Sequence, residues 1–127
     1  MPISRDLLEL SIDLIASNPS LEMDPESLAS DVVLLACIWP DADEFRAAIT
    51  SVCKAIEQLF VGNVTGTTLQ YKHESWMSYH FQQRRSQGAR AELRIVYQIS
   101  SDKIRVRGFG HRHIPTSIYH RLHKERP

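Results

Sequence analysis

The chain has 127 residues, 43% of them hydrophobic and 24% charged, with a formal net charge of zero. Those values suit a single globular domain able to build its own core. The longest apolar run, Val32 to Trp39, is far too short for a membrane-spanning helix. The opening Met1-Pro-Ile-Ser-Arg-Asp6 lacks the pattern of a secretory signal. We therefore expect a cytoplasmic protein with no membrane partner. Cys37 and Cys53 both fall inside helical patterns and read as reduced core residues.

The zero net charge conceals a polarity. Residues 1–63 hold three basic and eleven acidic residues, a net charge of −8, whereas residues 64–127 hold twelve basic and four acidic, a net charge of +8. Five of the six histidines lie between His80 and His123. A basic half of this kind suits a polyanionic partner, most commonly nucleic acid. The acidic half has two dispositions open to it. It lies across the basic surface and restrains it, or it packs elsewhere and keeps its acids in water.

Three helices come first. Ser4 suits a helix N-cap ahead of Leu7, Leu8, Ile12, Leu14 and Ile15, with an end before Asn18-Pro19. Asp24-Pro25-Glu26 combines a cap, a first-position proline and an early acid. The helix it opens carries Leu28, Val32, Leu35 and Ile38 and stops at Trp39-Pro40. Asp41, with Glu44 as a capping-box partner, opens a third helix. Phe45, Ala48, Ile49, Val52, Cys53, Ile56, Leu59 and Phe60 give that helix one buried face. Gly62 to Gly66 breaks it. Residues 1–62 thus form an acidic helical part.

Residues 67–127 form the basic part. Thr67 to Tyr71 reads as a strand or a loop. Ser78-Tyr-His-Phe-Gln-Gln-Arg84, Ala91-Glu-Leu-Arg-Ile-Val-Tyr-Gln-Ile99 and Lys103-Ile-Arg-Val-Arg-Gly-Phe-Gly-His-Arg112 read as three strands of an antiparallel meander. Ile95, Tyr97 and Ile99 alternate with Arg94, Val96 and Gln98, and Ile104 and Val106 with Lys103, Arg105 and Arg107, which predicts one greasy and one strongly basic face. A last helix from about Thr116 to Lys124 sets Ile118, Tyr119 and Leu122 toward the sheet. The fold class is α+β: N-terminal helices packed on a small antiparallel sheet, closed by a C-terminal helix.

The order of four elements carries a resemblance. The Ser78–Arg84 strand, Leu93-Arg-Ile-Val-Tyr-Gln-Ile99, Asp102-Lys-Ile-Arg-Val106, and Gly110-His-Arg112 followed by Ile118-Tyr119 resemble the C-terminal half of the RelE/ParE toxin superfamily over about 45 residues. The resemblance implies a toxin of a toxin–antitoxin system, with a cognate antitoxin protein as partner. It also implies a short strand and then a helical hairpin at the front. The helices at 26–38 and 42–60 fit the hairpin. Residues 4–17 read as a helix where that strand belongs, leaving 67–71 to supply an edge.

For the RelE branch the resemblance implies endoribonuclease cleavage of mRNA on the ribosome, and for the ParE branch non-catalytic inhibition of a protein target such as gyrase. Cutting RNA with side chains alone needs a base for the 2′-hydroxyl, a proton for the leaving 5′-oxygen and cations for the phosphate. By resemblance, Arg94 neutralises the scissile phosphate, Arg112 stabilises phosphate or leaving group, and Tyr119 stacks on a base or orients the nucleophile. Where the family carries two lysines in the first meander strand, this chain has His80 and Gln82. His80 titrates in the range acid–base catalysis needs, and Gln82 does not. A strand arginine is more often a solvated or salt-bridged group, and Tyr119 and His80 also suit structural roles.

Arg84, Arg85, Arg90, Arg105 and Arg107, with His111, are candidates for RNA contact, giving affinity without sequence choice; an ordinary solvated face is the plainer reading. Trp76 and Tyr79 suit core packing more than base stacking. His111, His113, His120 and His123 could be drawn into a metal set, but no cysteine or acid clusters with them, and we expect neither metal nor cofactor.

Overall fold

Each of the three long helices begins on a side-chain cap. The structure, a computed structural model, describes residues 3–69, 75–84, 88–113, 117–123 and 126. In α1 (Arg5–Ala16) the Ser4 hydroxyl accepts the Leu7 N–H at 3.1 Å. In α2 (Pro25–Ile38) Asp24 accepts from Ser27 at 3.0 Å, with proline at the first position. In α3 (Ala42–Val61) Asp41 accepts from Asp43 and Glu44, both at 3.1 Å. These bonds satisfy N–H groups that a helix cannot pair internally. Glu44, the expected capping-box partner, directs its carboxylate to Gln83 Nε2 at 3.0 Å and Arg84 at 3.3 Å, which ties the later meander to the start of α3. Gly62 ends α3 with φ 83°, a left-handed conformation that glycine adopts without a Cβ clash.

The sheet has five strands: β1 (Leu21–Glu22), β2 (Thr67–Thr68), β3 (Met77–Phe81), β4 (Leu93–Ile99) and β5 (Ile104–His111), in the order β1-β5-β4-β3-β2. β1 runs parallel to β5 and every other pairing is antiparallel. The sheet is therefore mixed, and a strand does precede the α2–α3 pair. Two residues are too few to show a period. β1 forms because of what surrounds it: the Ile104 N–H donates to Ser20 O at 2.8 Å, Lys103 Nζ to Pro19 O at 2.8 Å, and Arg105 pairs with Glu22 at 3.6 Å.

Leu93, Ile95, Tyr97, Ile104, Val106 and Phe109 turn to one face and pack with Leu28, Val32, Phe45, Val52 and Ile56 of the helices. The acidic helices thus cover the greasy face, and their exposed acids stay in water. Cys37 was expected in this core but is exposed, because Leu28, Val32 and Leu35 turn inward and leave Val33 and Cys37 on the outer side. Cys53 is half-buried against the core, and both thiols are free.

The second face differs from the expected basic surface. Val96 is fully buried there in a small cluster with Trp76, Ile118 and Leu122, the last two from α4 (Ile118–His123). Arg105 and Arg107 each lie 5.4 Å from the Trp76 ring centroid, within the range of cation–π attraction. Close approach of α4 depends on Gly108: a Cβ there would collide with the Leu122 side chain.

The alternation along β5 is also broken. Val96 pairs with Gly108 but Tyr97 pairs with Val106, so Arg107 is an extra, bulged residue. That step puts Phe109 and His111 on the core side begun by Ile104 and Val106. Beyond the short β1, α2 reaches the β5 edge. Asp31, fully buried, accepts the Phe109 N–H at 3.0 Å and meets Arg126 at 2.8 Å and Arg121 at 3.3 Å. Burial pushes the Asp31 carboxyl up, while the two guanidinium groups and the Phe109 N–H pull it back. Among the described residues, no helix is long and apolar enough to cross a membrane.

Candidate active site

On the α4 side of the sheet, His80 of β3 stands directly opposite Arg94 of β4, and Ser78 opposite Val96. Residues two apart on a strand share a face, so Ser78 and His80 point the same way. Tyr119 on α4 meets both: its phenol oxygen is 2.7 Å from Ser78 Oγ and 3.4 Å from His80 Nε2. The Tyr119 phenol also favours the charged form of the Arg94 guanidinium. Arg94 is only 8% exposed, and its Nη1 donates to Leu93 O at 3.0 Å and to Ala91 O. Those bonds hold the side chain in one place.

Arg112 follows β5 directly. Its N–H donates to Glu92 O at 2.9 Å, which carries the β4–β5 pairing one step further and sets the residue beside the cluster. The electrostatics show the proximity. Burial first, then Arg94, then Arg112 hold the His80 imidazole below its ordinary 6.5, and Arg112 also pushes down on Arg94. Both arginines thus disfavour a proton on His80, and Arg112 weighs on His111 of the opposite face as well. None of the ion pairs among the described residues involves either one. His80 is exposed and its imidazole is held toward the neutral form, so it can accept a proton beside the fixed Arg94 guanidinium.

The remaining candidates are scattered. Arg84 is exposed and bound to Glu44 at 3.3 Å and Asp43 O at 3.2 Å, on the helical side. Arg105 and Arg107 flank Trp76, and Arg105 also pairs with Glu22. Arg90 is exposed on the β3–β4 connection. Arg85 lies outside the described residues. Gln82, at the second lysine position of the resemblance, donates to Ala89 O at 2.6 Å.

His111 is turned away from the cluster. The Arg107 bulge sends it to the core side, where it is 8% exposed with its ring 6.2 Å from Trp39. Its Nδ1 accepts the His113 N–H at 3.1 Å and its Nε2 sits 3.4 Å from Glu92, an arrangement for a neutral ring. A direct RNA contact there is not what this burial favours. The His120 and His123 side chains, invoked for a metal set, lie outside the described part of the structure. Among the described residues, no group of three or more histidine, cysteine or acidic side chains is placed to hold a metal.

Two residues were missed in the sequence. Ser78 shares the parity of His80, a signal that was available. Asp31 sits three residues after Leu28 on the apolar face of α2, where an acid marks either an error of phase or a buried partner. Comparison with protein-family models, curated proteins and solved structures gives no match.

Proposed function

We propose that the chain is an endoribonuclease of the RelE kind, the toxin of a toxin–antitoxin pair, acting in the cytoplasm on single-stranded mRNA, including mRNA on the ribosome. The observation that carries this reading is His80 of β3 opposite Arg94 of β4, with the Tyr119 phenol 3.4 Å from the imidazole and the Arg112 charge acting on it. A short strand before a helical pair, then an antiparallel meander, adds support from the fold.

In this mechanism the RNA phosphate sits between Arg94 and Arg112. The His80 imidazole takes the 2′-hydroxyl proton, and the freed oxygen attacks phosphorus. The bond to the 5′-oxygen breaks, leaving a 2′,3′-cyclic phosphate, and the departing oxygen takes its proton from water. Arg94 and Arg112 offset the charge that grows on the phosphate and the leaving group. Tyr119, hydrogen-bonded within the cluster, orients the imidazole in place of stacking on a base.

RNA in a translation extract provides the test. The protein should yield truncated mRNA, and Arg112→Ala should lose that activity with its fold intact. Unchanged cleavage by Arg112→Ala rejects the site. The alternative, a ParE-like inhibitor gripping a protein target such as gyrase, draws on Gln82, which cannot move a proton and is bound to the Ala89 carbonyl. That reading expects intact mRNA and stalled gyrase.

A further inference from the structure

A cleft of about 530 Å³ opens beside the cluster, between α3 and the outer edge of β3. Its size is that of a small-molecule site. Ser51, Lys54 and Gln58 line one wall at helical spacing, Tyr79 and Phe81 line the other, and His80 belongs to both the cleft and the cluster. Pairing of β2 with β3 stops at Ser78, so the strand edge from Tyr79 onward faces the cleft.

Ser51 Oγ donates to Gln83 O at 2.6 Å. The Lys54 and Gln58 side chains have no partner among the described residues, nor does that of Asn63 at the mouth. A helical stripe of cation and carboxamide, open to a cleft and without a partner among the described residues, is equipment for a ligand. Carboxamides match the donor and acceptor edge of a base, and the half-buried Tyr79 ring, backed by the buried Phe81 ring 5.9 Å away and 10° from parallel, supplies an aromatic face.

We propose that this cleft receives one nucleobase of single-stranded RNA, attached to the nucleotide whose phosphate lies at His80, and that Gln58 reads its edge. This deepens the ribonuclease reading and rests on it. Lys54, one turn before Gln58, meets the next phosphate along the strand.

The test uses the full chain and short single-stranded oligoribonucleotides that vary only at the nucleotide on either side of the cut. The wild type should prefer one base at one of these positions by at least about tenfold. Gln58→Leu should flatten that preference to about twofold, and Lys54→Ala should lower affinity and the salt slope with the preference retained. An unchanged preference in Gln58→Leu overturns the proposal. If the wild type cuts no RNA, the ribonuclease reading fails on its own, and nucleoside 3′-monophosphates become the probe. Base-dependent NMR shifts at Gln58 and Tyr79, lost in Gln58→Leu, then support the cleft; no shifts at millimolar nucleotide overturn it.

Discussion

Tyr119 and Ser78, 41 positions apart in the chain, share a hydrogen bond of 2.7 Å that fastens α4 to β3. The same phenol reaches His80 at 3.4 Å, so a bond that helps hold the helix also holds the proposed base. Tyr119→Phe should therefore act on both. Ser78, only 2% exposed, would keep its hydroxyl without this partner, at a cost of about 1–2 kcal/mol. Urea unfolding should show that modest loss, and RNA cleavage should fall by a larger factor than the stability change accounts for. Wild-type activity in Tyr119→Phe removes the phenol from the mechanism.

The depressed His80 titration predicts how activity follows pH. With the folded value below 6.5, kcat/KM should rise with pH along a limb centred below 6.5 and then level off. Arg112→Gln removes one of the charges responsible, so the His80 ring should titrate closer to 6.5 by NMR. Stability follows the same sign. His80 and His111 are both held down in the fold, so the unfolded chain takes up protons first as pH drops below 6.5. Their contribution is complete above 6.5 and is lost as pH falls through the folded values. A chain that gains stability over that acid window contradicts the assignment.

Asp31 fastens three parts of the molecule at once: α2, the β5 edge at Phe109 and the C-terminal Arg121 and Arg126. Asp31→Ala should cost about 3–5 kcal/mol, since it leaves buried guanidinium charge and a buried N–H without their acceptor. Arg126→Ala should cost less, because Arg121 and the Phe109 N–H still face the carboxylate. The urea midpoints of the two variants check the order.

Gly108 offers a way to disturb the site without touching it. Its missing Cβ leaves room for Leu122, so Gly108→Ala must push the leucine and with it α4. We expect a loss of about 1–3 kcal/mol, weakening of the Tyr119–Ser78 bond and lower RNA cleavage. NMR shifts concentrated at Ser78, His80 and Tyr119 would trace the effect; shifts confined to Leu122 would show that the leucine simply re-orients.

The helices were legible because capping and period are local. Ser4, Asp24 and Asp41 act within three residues of themselves, and Phe45 to Leu59 repeat over several turns. The meander was legible in outline from period-2 alternation. What failed was non-local. β1 has two residues and exists by virtue of β5. The Arg107 bulge moves every later side chain of β5 to the other face, so His111 read as a surface group and is buried. The second face read as basic because Arg94, Arg105 and Arg107 are numerous, while Trp76 and α4, which cover part of it, come from distant parts of the chain. Of the proposed site, His80, Arg94, Arg112 and Tyr119 came from the resemblance, and Ser78 was not named.

The placement of the three acidic helices on one side of the sheet, with Arg94, Arg105, Arg107 and Arg112 on the other, has an effect at distances where no atoms touch. A body built in this way behaves as an electric dipole, and the field of a polyanion exerts a torque on it. For a polyanionic partner, that torque should turn the α4 side of the sheet toward it and shorten the rotational search before collision. Added salt, by shrinking the reach of that field to a few ångströms, should slow capture without changing what happens after contact.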